Sequence, residues 1–256
     1  MTIAEAIKSF TESNRQNPAV QPTNHYQSAG PGLLLLQRYL SAEADLDKIT
    51  PVRFRDFVAR WYVEEASNLG QTEADHVEDL GARDEIRNEY PGQARPLPGP
   101  VELMEELALF LEWMNVEMGR GDATRCLSIL SELKTTLPRA LEINRSLSKS
   151  LQERKSAFSF PEFLTSFEEG GSSQYDIDAP GKVGAIDGFF RILRIEGNLV
   201  EAQEVISEER IWPIIFPNEA ARMLNEAYVI NLELVRDHES WQIVGCGFTY
   251  PPGTEF

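Results

Sequence analysis

The sequence predicts an α+β protein: an N-terminal helical bundle followed by a small five-stranded antiparallel β-barrel, SH3-like or OB-like. Three observations carry this. Apolar residues recur at three- and four-residue steps over the first 157 residues. A stretch rich in Gly, Ser and Pro follows. Beyond it the composition turns to β-branched and aromatic residues in short runs bounded by Gly, Asn, Asp or Pro. The expected organisation is a helical domain over 1–157, a linker over 158–181 and a barrel over 182–256.

The first helix is expected over Thr2 to Gln16, with Ile3, Ile7 and Phe10 on one side. Asn17 and Pro18 end it, and Pro18 to Gly32 reads as an irregular connection holding His25 and Tyr26. A second helix runs from Gly32 to about Ala44 on the stripe Leu33, Leu36 and Leu40. Thr50 then caps a third, with Pro51 at its first position, where a missing N–H costs nothing. Its aromatic face, Phe54, Phe57, Val58, Trp61 and Tyr62, reads as core.

From Glu64 to Glu89 nine carboxylates face two arginines, a solvated acidic stretch. Within it Glu73, His76 and Asp79 fall at steps of three, the spacing of metal ligands on one helical face, but no second such pair exists to complete a di-metal bundle. Residues 90–100, with four prolines, form a stiff connector. The helix Val101 to Met118 is apolar on more than one face and is the candidate centre of the bundle. Gly119 to Asp122 turns the corner, with Asp122 expected as the next N-cap.

The following helix carries the most regular pattern of the chain. Cys126, Leu130, Leu133, Leu137, Ala140, Asn144, Leu147 and Leu151 alternate steps of four and three, a heptad seam that Pro138 should kink or split. Leu130, Leu137, Asn144 and Leu151 are the candidate self-association seam; packing of the same seam on Val101–Met118 is the competing expectation. The segment also holds Lys134, Arg139, Arg145, Lys149, Arg154 and Lys155 against Glu142 and Glu153 only, which makes it the candidate face for an acidic partner.

Strands are expected over Phe189 to Ile195, Leu199 to Ile206, Arg210 to Phe216, Tyr228 to Val235 and Trp241 to Tyr250, with a short helix from Pro217 to Leu224. Gly245 and Gly247 suit a bulge or bend in the last strand. The aromatic and basic residues Phe189, Phe190, Arg191, Arg194, Arg210 and Trp212 are the set an OB face would use on a single strand of nucleic acid. The glutamates of the same domain, among them Glu196, Glu201, Glu204, Glu208 and Glu209, outweigh them and favour a protein partner.

The formal charge is −17, with 24 Lys plus Arg of which six are lysine. That balance disfavours whole-surface binding to nucleic acid or anionic lipid, which depends on clustered cations. No apolar run approaches the roughly 18–20 residues that span a bilayer, and the N-terminus lacks the basic start and apolar stretch of a secretory signal, so the expected location is the cytoplasm. Cys126 and Cys246 have no partner at metal-ligand spacing and read as free thiols.

Thr50 to Tyr62 followed by Leu103 to Met114 resembles the paired helices of the SAM-like core-binding domain of tyrosine recombinases, a likeness carried by apolar spacing with aromatic-Trp endings and confined to residues 50–118. It implies a DNA-gripping helical module. The catalytic domain of that family is absent: no His-x-x-Arg occurs at His25, His76 or His238. Phosphate loops, dinucleotide fingerprints, His-Glu-x-x-His and Gly-x-Ser-x-Gly are absent too. The expectation is a non-enzymatic interaction or regulatory protein without cofactor, built from a helical scaffold and a β-barrel docking module. A nucleic-acid-binding protein using helix 134–155 is the first alternative, a metal-dependent hydrolase the second.

Overall fold

The computed structural model describes residues 1–16, 29–66, 97–157 and 184–256. Two compact units divide between Pro138 and Arg139. None of the described helices is long and apolar enough to cross a membrane. His25, Tyr26, Glu73, His76, Asp79 and the expected linker 158–181 lie outside the described residues.

The first unit is helical. α1 (Ile3–Gln16) opens on a capping box, in which Glu5 N–H donates to Thr2 Oγ1 at 3.2 Å and Thr2 N–H donates to the Glu5 carboxylate at 2.8 Å. α2 (Pro31–Leu40) is shorter than expected: Ser41 takes a positive φ of 76° and ends it four residues early. α3 (Pro51–Asp56) starts as read, with Thr50 Oγ1 accepting from Arg53 N–H at 3.3 Å, and continues through a wider turn over Phe57–Trp61. Phe54, Phe57, Val58 and Tyr62 are buried; Tyr39, with its ring 5.3 Å from that of Phe57, donates its hydroxyl to Asp56 at 2.6 Å. Burial and that hydrogen bond push the Tyr39 phenol up to about 12.

α4 (Pro100–Met118) is the central helix, packing against α1, α2 and α5 (Gly121–Leu133), and its two-sided apolar pattern follows from having neighbours on several sides. Gly119, at a φ of 63°, stops it in the left-handed conformation that glycine adopts without strain. Arg120, not Asp122, occupies the cap position of α5.

One carboxylate ties α4 to α2. Glu106 is buried, and its oxygens accept from Gly32 N–H at 2.8 Å and Leu33 N–H at 3.3 Å. Gly30 precedes α2 with no capping side chain, so Glu106 supplies from another helix the acceptor that a Ser or Asp would normally supply locally. There is room for it because Gly32 has no side chain: a Cβ there would stand 2.8 Å from the carboxylate. Burial raises the Glu106 pKa above 4.5 even though backbone hydrogen bonds from Gly32, Leu33 and Gly30 favour the charged form.

The seam is carried by two helices, split at the place where Pro138 was expected to kink or split it. The chain breaks at Lys134 and Thr135, and α6 (Thr136–Ala157) begins there with Pro138 in its first turn. The ring of a proline excludes the helical carbonyl four residues before it, here that of Lys134, whereas its missing N–H is harmless in a first turn.

α6 contributes to the second unit, where Ala140, Ile143 and Leu147 join one buried core with the inner faces of the strands. β1 (Ala185–Glu196), β2 (Leu199–Glu204), β3 (Arg210–Ile215), β4 (Val229–Asp237) and β5 (Ser240–Tyr250) close in a ring in the order β1-β2-β3-β5-β4, with the short helix α7 (Asn218–Met223) between β3 and β4. The sheet is mixed, not antiparallel. β3 and β5 run parallel, pairing Ile214 with Trp241 and Ile215 with Gln242. Five is an odd number, so strand direction cannot alternate all the way round a closed ring and one adjacent pair must be parallel.

Phe190, Ile192, Val200, Ala202, Ile211, Ile214, Ile230, Leu232, Leu234 and Ile243 fill the interior. β5 shifts register against β4 on either side of the pairs Leu232–Cys246 and Glu233–Gly245, so the bulges fall where Gly245 and Gly247 stand. A Cβ on Gly247 would lie 2.2 Å from Oδ1 of Asn231, whose amide crosses to donate to the Gly188 carbonyl at 3.1 Å.

Candidate functional site

The basic segment does not form one stripe. Lys134 stands in the turn between α5 and α6 and belongs to the first unit; Arg139, Arg145, Lys149 and Arg154 are exposed on α6 in the second. Arg145 and Lys149 share a side of the helix at a spacing of four, and Glu142 and Glu153 stand beside them, Glu153 at 4.0 Å from Lys149. The side chain of Lys155 lies outside the described residues. Of the seam, Leu130, Leu137 and Asn144 are buried, and Leu151 packs half-buried against the core of the ring. Leu130 and Leu137 belong to one unit, Asn144 and Leu151 to the other.

Cys126 is buried and its thiol is pushed up to about 12 by burial, with the Asp122 carboxylate adding to the shift, which suits an inert core thiol. Cys246 is half-buried, 3.7 Å from the Ser148 hydroxyl. Among the described residues no three His, Cys, Asp or Glu side chains cluster as metal ligands, and His238 is exposed in the β4–β5 turn.

The strands do assemble one distinctive surface, the outer face of β1-β2-β3. Interior side chains fix its parity: because Phe190, Ile192, Val200, Ala202, Ile211 and Ile214 point inward, Arg191, Glu201, Gln203, Arg210 and Trp212 point outward. Register then lines them up. Arg191 pairs with Gln203, and Gln203 pairs with Arg210, giving a row across three strands. A second row begins with Arg194 opposite Glu201, brought outward by a register shift after Ile192, and ends on Trp212 in the shift between Val200 and Ala202.

Within these rows the guanidinium of Arg194 lies over the Trp212 ring, 4.9 Å from its centroid, and the Trp is 39% exposed. Arg194 also reaches Glu196 at 2.8 Å and Glu201 at 3.9 Å; Arg210 approaches Glu201 from the other side at 3.7 Å. Glu201 therefore sits between two cations, close enough for attraction but beyond hydrogen-bond contact with either. Arg191 is exposed and has no carboxylate partner among the described residues. Exposed pairs of this kind contribute about 0–1 kcal/mol each, so the arginines are easily redirected.

The surroundings hold the face in shape. Glu204, at the end of β2, accepts from the N–H groups of Ile206 and Ser207, and these backbone bonds, that of Ser207 first, lower its pKa. Gln203 donates to the Glu208 carbonyl at 3.0 Å. The β1–β2 turn Gly197-Asn198 has two residues and the β2–β3 connection Val205 to Glu209 has five, so the described connections within this face are short. Only two residue pairs join β3 to β5, and Arg210 to Trp212 have no partner on that edge among the described residues.

The sequence grouped Arg191, Arg194, Arg210 and Trp212 with Phe189 and Phe190; the structure keeps the first four on this face, puts Phe190 in the interior and packs Phe189 on Tyr250 and Phe256. Of the glutamates that outweigh them in number, Glu196 and Glu201 stand on this face against Arg194 and Arg210, Glu204 turns into its own loop, and Glu219 on α7, Glu226 before β4, Glu233 beside Gly245 and Glu239 in the hairpin lie off it. Comparison with models of known families, with curated proteins and with solved structures finds no match for this chain.

Proposed function

We propose that this protein is a non-enzymatic interaction protein in which the ring is an OB-like barrel and an anionic partner docks on the outer face of β1-β2-β3. The observation that carries the reading is the exposed Trp212 under Arg194, with Arg191 and Arg210 in register on the same three strands. The strand order, with a helix between the third and fourth strands and the fifth between the third and fourth, supports OB-like over SH3-like connectivity. OB barrels bind through the face of their second and third strands. The short turns leave a shallow surface suited to an extended partner rather than an enclosed small molecule.

The test does not depend on the partner's class. A photo-crosslinking residue is placed in cells at Gln203, on the face, and at Val244, exposed on β5. Adducts are expected from position 203 alone and lost when Arg191 and Arg210 are both replaced by alanine. Absence of adducts at 203, or equal adducts at both positions, overturns the docking face.

A further inference from the structure

We infer that the partner on this face is an acidic segment of another polypeptide, lying extended along the open edge of β3 with its carboxylates on Arg210 and Arg194 and an apolar side chain against Trp212. This rests on the docking face proposed above and names its occupant.

Three features select a polypeptide. The first is the edge: Arg210 to Trp212 present backbone groups toward the side where β5 has not yet begun to pair, an edge without a partner among the described residues, and Pro213, which has no N–H, closes that stretch. An unpaired strand edge recognises the backbone of another strand, and alternate side chains of the added strand then fall on one face of the sheet. A polynucleotide has no groups that continue a ladder. The second is the supply of aromatic surface: Trp212 is the one aromatic side chain in the two rows, enough for a single apolar side chain, whereas stacking of successive bases uses several. The third is charge. A polynucleotide brings a negative charge with every nucleotide toward a chain of net −17, against three arginines that Glu196 and Glu201 partly neutralise. A short acidic segment needs only the two or three charges the face can match.

Glu201 shows the geometry such a carboxylate would adopt. Its side chain, 20% exposed, stands between Arg194 and Arg210 at 3.9 and 3.7 Å. It acts as an internal stand-in for the partner's acid, and an incoming carboxylate competes with it for the outward N–H groups of both arginines.

The probes are a fluorescein-labelled eight-residue peptide of alternating Glu and Val, the same peptide N-methylated at alternate residues to block strand pairing, and a twelve-nucleotide oligo-dT, titrated by anisotropy into the full chain at about 50 mM salt. The unmodified peptide is expected to bind. Its affinity should fall about fivefold or more in Arg210→Ala and in Trp212→Ala, and rise about threefold in Glu201→Gln, which keeps the shape and removes the competing charge. N-methylation should abolish binding. All three positions are on the outer face, and circular dichroism checks that each variant is folded.

Tighter binding of oligo-dT than of the peptide, sensitive to the same variants, makes the occupant a single-stranded nucleic acid and overturns the inference while leaving the docking face intact. Equal binding of the N-methylated peptide overturns the edge arrangement. If no probe binds while crosslinks still form at Gln203, the occupant's class is wrong; if crosslinks fail as well, the face itself is.

Discussion

At the scale of single residues the informative case is Glu106. In the sequence it is the second of two adjacent glutamates on an amphipathic helix, indistinguishable from an exposed acid. The clue lay 74 residues earlier, at Gly32, where Gly30-Pro31-Gly32 begins a helix with no Ser, Thr, Asp or Asn to cap it, so the acceptor had to come from elsewhere. Glu106→Ala leaves the buried Gly32 and Leu33 donors unpaired and is expected to cost about 2–4 kcal/mol in urea unfolding. Glu106→Gln keeps one acceptor and turns an amide N–H toward the other donor, for an intermediate loss of about 1–2 kcal/mol.

The pH dependence of that pair of proteins has a definite sign. Burial raises the folded pKa of Glu106 above 4.5, so its titration contributes stability that is fully present below 4.5 and lost as pH rises through the folded value. The stability difference between the wild type and Glu106→Gln is therefore largest in mild acid and narrows toward neutrality. A difference that is flat or widens with pH contradicts the burial of this charge.

Elements were legible to different degrees, for reasons particular to each. α3 was read almost to the residue because Thr50 and Pro51 carry its start locally. Thr50→Ala should cost about 1 kcal/mol, measured by thermal unfolding. α6 was assigned with α5 to the helical bundle because an apolar stripe states that a face is buried and not what covers it; Ala140 and Leu147 fit the same stripe as Leu133 while their core is that of the ring. The strands were found within a few residues, since alternation and breakers are local signals. The parallel β3–β5 pair was not read, although five strands and closure together require one. Gly247→Val tests the bulge in β5: its Cβ meets Asn231, and a loss of about 1–3 kcal/mol is expected, whereas a neutral result would mean the strand is free to shift there.

Across the whole molecule the dominant quantity is the charge of −17, which opposes compaction through self-repulsion. Raising NaCl from about 20 mM to about 500 mM should screen it and raise the thermal midpoint by a few degrees, about 2–4 °C for each kcal/mol recovered; a midpoint that falls or stays put would show that paired charges matter more than the net excess. The same quantity explains why the proposed docking face was outweighed in the sequence. Net charge averages over every surface, whereas binding is decided by one. Parity and register bring Arg191, Arg194, Arg210 and Trp212 together on β1-β2-β3, with Glu196 and Glu201 as the acids among them.

On the docking proposed above, the carboxylate of Glu201, held between Arg194 and Arg210, also sets the tempo of exchange at this face. When a partner departs, both guanidinium groups fall back on a resident anion instead of facing water alone, so the vacated surface is already a settled state and departure is fast. Short residence is the natural regime of such a contact, and a partner that must stay needs further grip elsewhere on the molecule. Replacing Glu201 with glutamine removes the fallback, and its signature is a slower off-rate with little change in the on-rate.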